Sequence, residues 1–187
     1  MSRPETHAFI LAAGFGTRMR PLTDHIPKPM VDVAGKPLID HIIDKMQESG
    51  ITRVSVNAHH KADVLRAHLH NRTTPQIILS EEEELLDTGG GLKGMLTIFH
   101  GRDVLCVNGD AYWTDGPSGN VFKRLWSLWD REAMDMLSLL QPVAGMKLTE
   151  GVGDYDLLED GRVRRSRERK GAHMWTSIRI CRADNVP

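Results

Sequence analysis

Apolar and polar residues follow two different periods along this chain. A short apolar run, Ala8–Ala13, is stopped by glycine and predicts a buried strand. From Pro37 to Gly50 apolar side chains recur at helical spacing, which predicts an amphipathic helix with proline at its start and glycine at its end. The apolar stripe of this helix is Leu38, Ile39, Ile42, Ile43 and Met46.

The alternation of strand and helix patterns continues through the next sixty residues. Strands are predicted over 51–57, 76–80 and 103–107, and helical patterns over 61–70 and 92–99 lie between them. This β-α-β-α-β order is typical of a parallel sheet covered by helices on both faces. We therefore predict an α/β fold with a mixed, mostly parallel sheet.

The last third of the chain carries weaker signals. Ser118 is predicted to cap a helix, and a strand is expected over 134–142. A hairpin is expected around 159–161, and a final strand over 176–182. We expect no internal repeat and no linker.

Several polar segments follow predicted strands directly. Ligands of open parallel sheets bind beyond the carboxyl ends of the strands. Gly14, the segment 81–91 and Asp110 all occupy such positions, so we expect them to converge on one edge of the sheet.

The segment after the first strand has the chemistry of a phosphate site. Gly14 and Gly16 flank Phe15 and allow a sharp turn, and Arg18 and Lys28 add positive charge. Turn N–H groups and fixed cations bind triphosphate oxygens well. The spacing fits neither the dinucleotide fingerprint nor the Walker pattern.

Composition excludes several functional classes. The 187 residues carry a net charge of −1, so no global positive field favours nucleic acid. No apolar run approaches the roughly 20 residues that cross a bilayer, and no secretory signal is evident at the start. Two isolated cysteines, Cys106 and Cys181, indicate a reducing cytoplasm rather than a disulfide framework.

The N-terminal motifs resemble those of the sugar-1-phosphate nucleotidyltransferases. The resemblance rests on Leu11–Gly14, Gly16–Met19, Pro21–Thr23, Pro27–Met30 and Gly35–Leu38, and it extends over essentially the whole chain. It implies the three-layer, Rossmann-like fold of nucleotide-diphospho-sugar transferases, in a single domain over residues 1–187.

The resemblance also implies roles for individual residues. The nucleotide would be bound by Leu11, Ala12, Ala13, Gly14, Gly16, Thr17, Arg18, Lys28, Glu81, Gly89 and Gly90. Arg18, Lys28 and Asp110 would be catalytic, with Asp110 holding Mg²⁺. The sugar phosphate would contact Asn108, Gly153, Glu168 and Thr176.

One part of the family pattern is not found in this sequence. Relatives bind the metal with a second aspartate in a W-x-D-x-G-T-like segment near the C-terminus, and no matching segment occurs here. We therefore expect the chain to lack that segment and to turn over poorly. A nucleotide-binding homologue without catalysis is the alternative of another class.

The implied reaction joins a nucleoside triphosphate to a sugar 1-phosphate and releases pyrophosphate. The motifs Pro27–Met30, Asp87–Gly91 and Val107–Asp110 favour UTP and N-acetylmuramic acid 1-phosphate, as used in peptidoglycan recycling. Mannose-1-phosphate guanylyl transfer and glucose-1-phosphate thymidylyl transfer remain the alternatives. Partners would be these small molecules alone, with neither nucleic acid nor membrane involved.

Overall fold

A computed structural model describes residues 7–86, 88–94, 96–99, 101–146, 153–182 and 184. The strands are β1 His7–Leu11, β2 Asp32–Val33, β3 Lys36–Pro37, β4 Arg53–Ala58, β5 Gln76–Glu81, β6 Val104–Asn108, β7 Met136–Pro142, β8 Tyr155–Leu157, β9 Val163–Arg165 and β10 His173–Cys181. The α-helices are α1 Leu38–Glu48, α2 Ala62–Leu69, α3 Thr88–Gly94, α4 Leu96–Phe99 and α5 Val121–Leu128. Short 3-10 turns cover Thr17–Met19 and Lys28–Met30.

The chain folds into two compact units, one of Met1–Leu137 with Arg179–Pro187 and one of Ser138–Ile178. In the first unit, β5, β4, β1 and β6 lie side by side in that order and are all parallel. The end of β10, Arg179–Cys181, adds to β6 in the antiparallel direction. The prediction of a mixed, mostly parallel sheet with helices is confirmed. That residues 1–187 act as a single domain stays a prediction.

The core of the first unit lies on this sheet. Phe9 and Phe99 are fully buried and meet edge to face, with ring centroids 5.8 Å apart. They pack with Val104, Cys106 and Cys181, and both cysteines are buried as small apolar side chains. Helix α1 buries its predicted apolar stripe completely. Apolar burial of this kind is the main stabilising contribution to the fold.

Two local predictions are wrong. The cap predicted at Ser118 belongs to Asn120, whose Oδ1 accepts hydrogen bonds from the backbone N–H groups of Phe122 and Lys123 at 3.0 and 3.2 Å. Gly119, with φ at +80°, turns the chain once more before the helix can begin. The helix predicted to begin at residue 92 begins earlier, since α3 starts at Thr88 and includes the glycines that follow it, despite the low helix propensity of glycine.

The second unit contains antiparallel strands. β8 and β9 form the expected hairpin, with Tyr155 opposite Arg165 and Leu157 opposite Val163. β10 pairs with β8 through His173 and Tyr155, and it also pairs with β7. None of the helices in the described part of the chain combines the length and apolar character needed to cross a membrane.

Helix α5 offers a matched test of the core. Leu125 is 5% exposed, whereas Leu128, one turn later, is 61% exposed. We expect Leu125→Ala to lower the free energy of unfolding by about 2–5 kcal/mol, because it removes buried methyl groups and leaves a cavity. Leu128→Ala should change it by about 0.5 kcal/mol or less. Denaturant unfolding of both variants measures the difference, and equal losses would contradict this packing.

Candidate functional site

The register of three parallel strands sets the position of the site. Leu11, the last residue of β1, lies level with Asn57 of β4 on one side and with Asn108 of β6 on the other. The carboxyl ends of these strands therefore meet at one edge, as the sequence predicts. The backbone N–H of Gly109 donates to the carbonyl oxygen of Leu11 at 2.8 Å and fixes the chain after β6 against the end of β1.

The turn after β1 is closed by hydrogen bonds to Gly16. The carbonyl oxygen of Gly16 accepts from the N–H of Met19 and from Oγ1 of Thr23, both at 2.9 Å. Gly16 has φ at +66°, a conformation that favours glycine. Gly14, in contrast, is exposed, with open space where a side chain would be. The turn thus leaves its backbone accessible to a ligand.

A cleft of about 360 Å³ opens at this edge of the sheet. Its lining consists of Leu11, Ala12, Ala13, Gly14, Arg18, Lys28, Pro29, Asn57, Leu85, Leu86, Asn108, Gly109 and Asp110. The structure therefore brings together most of the predicted nucleotide residues and all three predicted catalytic residues. Gly16 and Thr17 form the turn beside it without appearing in the lining.

Opposite charges face each other in the cleft. Lys28 Nζ donates to Asp110 Oδ2 in an ion pair, and the two side chains are 21% and 32% exposed. Prolines on either side hold Lys28, and Pro29 lies so near Gly109 that a Cβ there would come within 3.1 Å of Pro29 Cγ. Arg18 is exposed and forms no ion pair with any residue that the structure describes. The lining therefore carries one more positive than negative charge.

A carboxylate after the cleft anchors the chain that leaves it. Asp115 accepts from Lys45 Nζ of α1 at 2.8 Å, and from Trp113 Nε1 and the N–H of Val121 at 3.2 Å each. Burial raises the pKa of Asp115, but these hydrogen bonds together outweigh it, so the pKa lies below its ordinary value. The segment that follows Asp110 is thereby fixed to α1.

The first two residues of the acidic run 81–84 bind different side chains. Glu81, predicted near the nucleotide base, lies outside the cleft lining and pairs with Arg66, whose Nε donates to Glu81 Oε1 at 2.7 Å. The hydrogen bonds and charge of Arg66 lower the pKa of Glu81. Its neighbour Glu82 instead accepts from Asn57 Nδ2 at 2.7 Å. Gly89 and Gly90 lie in α3.

Asn57 and Glu82 are site residues that sequence reasoning missed. Asn57 is 3% exposed and its Oδ1 accepts from the N–H of Ala12 at 2.7 Å. The available signal was position: Asn57 is the last residue of the alternating strand predicted over 51–57, and a buried polar residue there needs a partner. No local feature of the acidic run distinguishes Glu82 from Glu81.

The remaining predicted sugar residues lie in the second unit. Gly153 bridges to Lys170, and Glu168 accepts from Lys170 Nζ at 3.0 Å while exposed. Thr176 Oγ1 donates to the carbonyl oxygen of Leu139 at 2.8 Å. Their roles stay predictions.

Metal-binding potential is limited to individual carboxylates. Among the described residues there is no group of three or more His, Cys, Asp or Glu side chains that could hold a metal ion. Of the described lining residues, only Asp110 carries a carboxylate. Mg²⁺ in phosphate-transferring sites is commonly held by one or two carboxylates together with substrate phosphates. Asp110 therefore fits a metal ion that arrives with a nucleotide.

The family follows from a match over most of the chain. Residues 7–134 match the protein family described as Nucleotidyl transferase. This chain belongs to that family. The resemblance seen in the sequence is thus confirmed, and the matched region includes every described residue that lines the cleft.

Two curated relatives that match most of this chain share a specific description. The N-acetylmuramate alpha-1-phosphate uridylyltransferase of Caulobacter vibrioides is 38% identical over 169 residues, 88% of this chain and 69% of that protein. The enzyme of the same name from Neisseria meningitidis serogroup B is 34% identical over 160 residues, 84% of this chain and 67% of that protein. A probable mannose-1-phosphate guanylyltransferase of Oryza sativa is 42% identical, but over only 46% of this chain and 24% of that protein.

Solved structures support the fold. HddC from Yersinia pseudotuberculosis, in a complex with GMP-PN, superposes with a TM-score of 0.76 at 24% identity, covering 97% of this chain and 78% of that one. The prediction of a Rossmann-like transferase fold is confirmed at this level.

The two glycines of the turn give a matched stability test. A Cβ on Gly16 would lie 3.0 Å from Thr23 Cγ2 and 3.1 Å from Lys28 Cβ, whereas one on Gly14 would meet nothing within 4 Å. We expect Gly16→Ala to cost about 1–2 kcal/mol of unfolding free energy, because alanine is strained at positive φ. Gly14→Ala should stay within about 0.5 kcal/mol of the wild type. Thermal or urea unfolding that ranks Gly14→Ala as the more damaging change would contradict this account of the turn.

Proposed function

We propose that this protein transfers a uridylyl group from UTP to N-acetylmuramic acid 1-phosphate and releases pyrophosphate. The observation that carries the proposal is the identity to two uridylyltransferases of that description over more than four fifths of the chain. The cleft supports it independently, because it combines an open glycine turn with Arg18, Lys28 and Asp110. The product would be a UDP-sugar used in peptidoglycan recycling in the cytoplasm.

The reaction needs little proton transfer. The second pKa of a phosphate monoester is about 6, so a sugar 1-phosphate is largely dianionic at pH 7 and is already a nucleophile. One of its oxygens attacks the α-phosphorus of the triphosphate. The bond from that phosphorus to the bridging oxygen breaks, and pyrophosphate leaves with the electron pair. Catalysis therefore consists mainly of holding two anions in line.

The residues of the cleft have the groups for this task. N–H groups of the turn from Ala13 to Thr17 would bind triphosphate oxygens, as turn and helix-start amides do. Arg18 is exposed and would pair with the β and γ phosphates. Lys28 would leave Asp110 and move to the phosphates at the reacting centre. Asn108, which also lines the cleft, would contact the sugar phosphate.

We propose Asp110 as the metal carboxylate. When bound, Mg²⁺ would neutralise charge on the phosphates and on the leaving pyrophosphate. The pairing of Asp110 with Lys28 keeps each charge compensated within the cleft. Binding of a nucleotide with its metal ion would then exchange this internal pair for two contacts to the ligand, at little cost in unpaired charge.

Two alternatives are separated by a single assay. Guanylyl transfer to mannose 1-phosphate is favoured by relatives that match a shorter part of the chain. A nucleotide-binding protein without turnover is favoured by the single carboxylate among the described lining residues. Pyrophosphate release, measured with four nucleoside triphosphates crossed against a panel of sugar 1-phosphates, should be fastest with UTP and N-acetylmuramic acid 1-phosphate. Preference for GTP with mannose 1-phosphate would support the first alternative, and binding without release the second.

Removal of the cleft cations should weaken nucleotide binding without unfolding the protein. We expect Arg18→Ala and Lys28→Ala each to lose roughly 1.5–3 kcal/mol of UTP binding or transition-state stabilisation, since each removes a charge-assisted phosphate contact. Calorimetry with UTP and steady-state kinetics measure the loss. Arg124→Ala and Lys123→Ala, in exposed positions of α5, are the matched controls. Wild-type UTP affinity in both cleft variants would rule out this site.

Because Asp110 pairs with Lys28, the Asp110→Asn variant should show opposite effects on turnover and on metal-free UTP binding. Asp110→Asn should slow turnover at least about tenfold, because Mg²⁺ loses its protein carboxylate. The same change should preserve or tighten UTP binding in EDTA, since it frees Lys28 and removes a negative charge near the phosphates. Asp63→Asn, exposed at the start of α2, is the control. Metal-free UTP binding that weakens as much as turnover would contradict the pairing.

A further inference from the structure

Asn57 connects the two sides of the cleft. Its Oδ1 accepts from the N–H of Ala12 at 2.7 Å, at the start of the glycine turn. Its Nδ2 donates to Oε1 of Glu82 at 2.7 Å, in the loop that follows β5. Ala12 and Asn57 line the cleft together with Leu85 and Leu86 of that loop. One buried amide therefore spans from the turn to the opposite loop.

Glu82 is fixed at the other end of this connection. Its second carboxylate oxygen, Oε2, accepts from the N–H of Leu86 at 3.1 Å. Its backbone N–H donates to the carbonyl oxygen of Ala58 at 2.8 Å, and its own carbonyl oxygen accepts from His59 Nδ1 at 2.9 Å. Each carboxylate oxygen thus has a donor, and the side chain holds the cleft-lining Leu86 in place.

Helix α3 packs closely against Asn57 and Glu82 at Gly91. A Cβ on Gly91 would lie 2.8 Å from Asn57 Nδ2 and 3.2 Å from Glu82 Oε1. A Cβ on Gly94, one turn later in the same helix, would meet only Leu86 Cδ1, at 3.9 Å. Glycine at 91 therefore permits the close approach of α3, although alanine would form a better helix.

We infer that Asn57 and Glu82 form a positioning pair that fixes the distance between the glycine turn and the Leu85–Leu86 loop, and so sets the affinity of the cleft for the nucleotide. This inference rests on the proposed function. The amide orients one wall through the Ala12 N–H, and the carboxylate orients the other through the Leu86 N–H. Neither residue needs to touch the nucleotide, since both act through the backbone that does.

Exchanging the amide and the carboxylate between residues 57 and 82 tests this inference. Asn57→Asp replaces the donor with a second carboxylate facing Glu82, so it should weaken UTP binding about tenfold or more. Glu82→Gln leaves only one amide oxygen to serve Asn57 and Leu86, so a smaller loss is expected. In the double variant the new amide can donate to the new carboxylate, while both backbone N–H groups keep their acceptors. We expect UTP affinity to return to within about threefold of the wild type.

The readouts separate positioning from general stability. The dissociation constant for UTP should follow this pattern, whereas the KM for the sugar 1-phosphate should change by less than about twofold. Asn120→Asp makes the same chemical change at a half-buried asparagine outside the cleft, where Nδ2 donates to the carbonyl oxygen of Lys45 at 3.2 Å. It should lower the melting temperature without changing UTP affinity.

A second pair of variants acts on the same contact from the helix. Gly91→Ala should press on Asn57 and Glu82 and weaken UTP binding, whereas Gly94→Ala should not. Helix propensity alone predicts the same small stabilisation for both changes. A difference in UTP affinity between them therefore reports on the pair rather than on the helix.

The outcomes distinguish this inference from the function on which it rests. A wild-type protein that binds none of the four nucleoside triphosphates overturns the proposed function. Wild-type binding of UTP that Asn57→Asp and Gly91→Ala leave unchanged overturns the positioning pair alone, as does a double variant no better than Asn57→Asp. If Asn57→Asp does not fold alone, the double variant must still bind UTP at least as tightly as Glu82→Gln. Weaker binding overturns the pair.

Discussion

The parallel register of β1 with β4 and β6 is the constraint on which the rest of the site depends. It places Leu11 level with Asn57 and Asn108, so the segments that follow the three strands all start at the same edge of the sheet. The Gly109–Leu11 hydrogen bond then holds Asp110 beside the glycine turn. A slip of one residue in either pairing would turn the side chains at these strand ends to the opposite face and separate the charges of the cleft.

The charged residues of the cleft are arranged to exchange partners when a nucleotide binds. Lys28 and Asp110 compensate each other, and Arg18 supplies positive charge at the more exposed side. A nucleotide carrying a metal ion presents one partner for each member of the pair, so binding replaces one set of charge contacts with another. Neither the half-buried lysine nor the half-buried aspartate is left as an unpaired charge before or after the exchange.

The sequence predicted the parts of the site that are local in the chain. The strand, the glycine turn and the position of Asp110 after a buried strand are recognisable within a few residues of sequence, whereas the roles of Lys28 and Asp110 come from the resemblance to the family. Asn57 and Glu82 depend on which way side chains point at the ends of β4 and β5. Successive side chains of an extended segment point to opposite sides, so Glu81 meets Arg66 and Glu82 meets Asn57. Four consecutive glutamates carry no local signal for that choice. The early start of α3 was missed for the related reason that Gly91 fits a tertiary contact rather than helix propensity.

A crystal structure with Mg²⁺ and a non-hydrolysable UTP analogue would test the central claim most directly. The account predicts the triphosphate along the turn from Ala12 to Arg18, with Lys28 Nζ moved from Asp110 to a phosphate oxygen and Asp110 bound to the metal ion. The Asn57–Glu82 contact should be unchanged. A nucleotide bound elsewhere, or bound in this cleft with the Lys28–Asp110 pair intact, would contradict it.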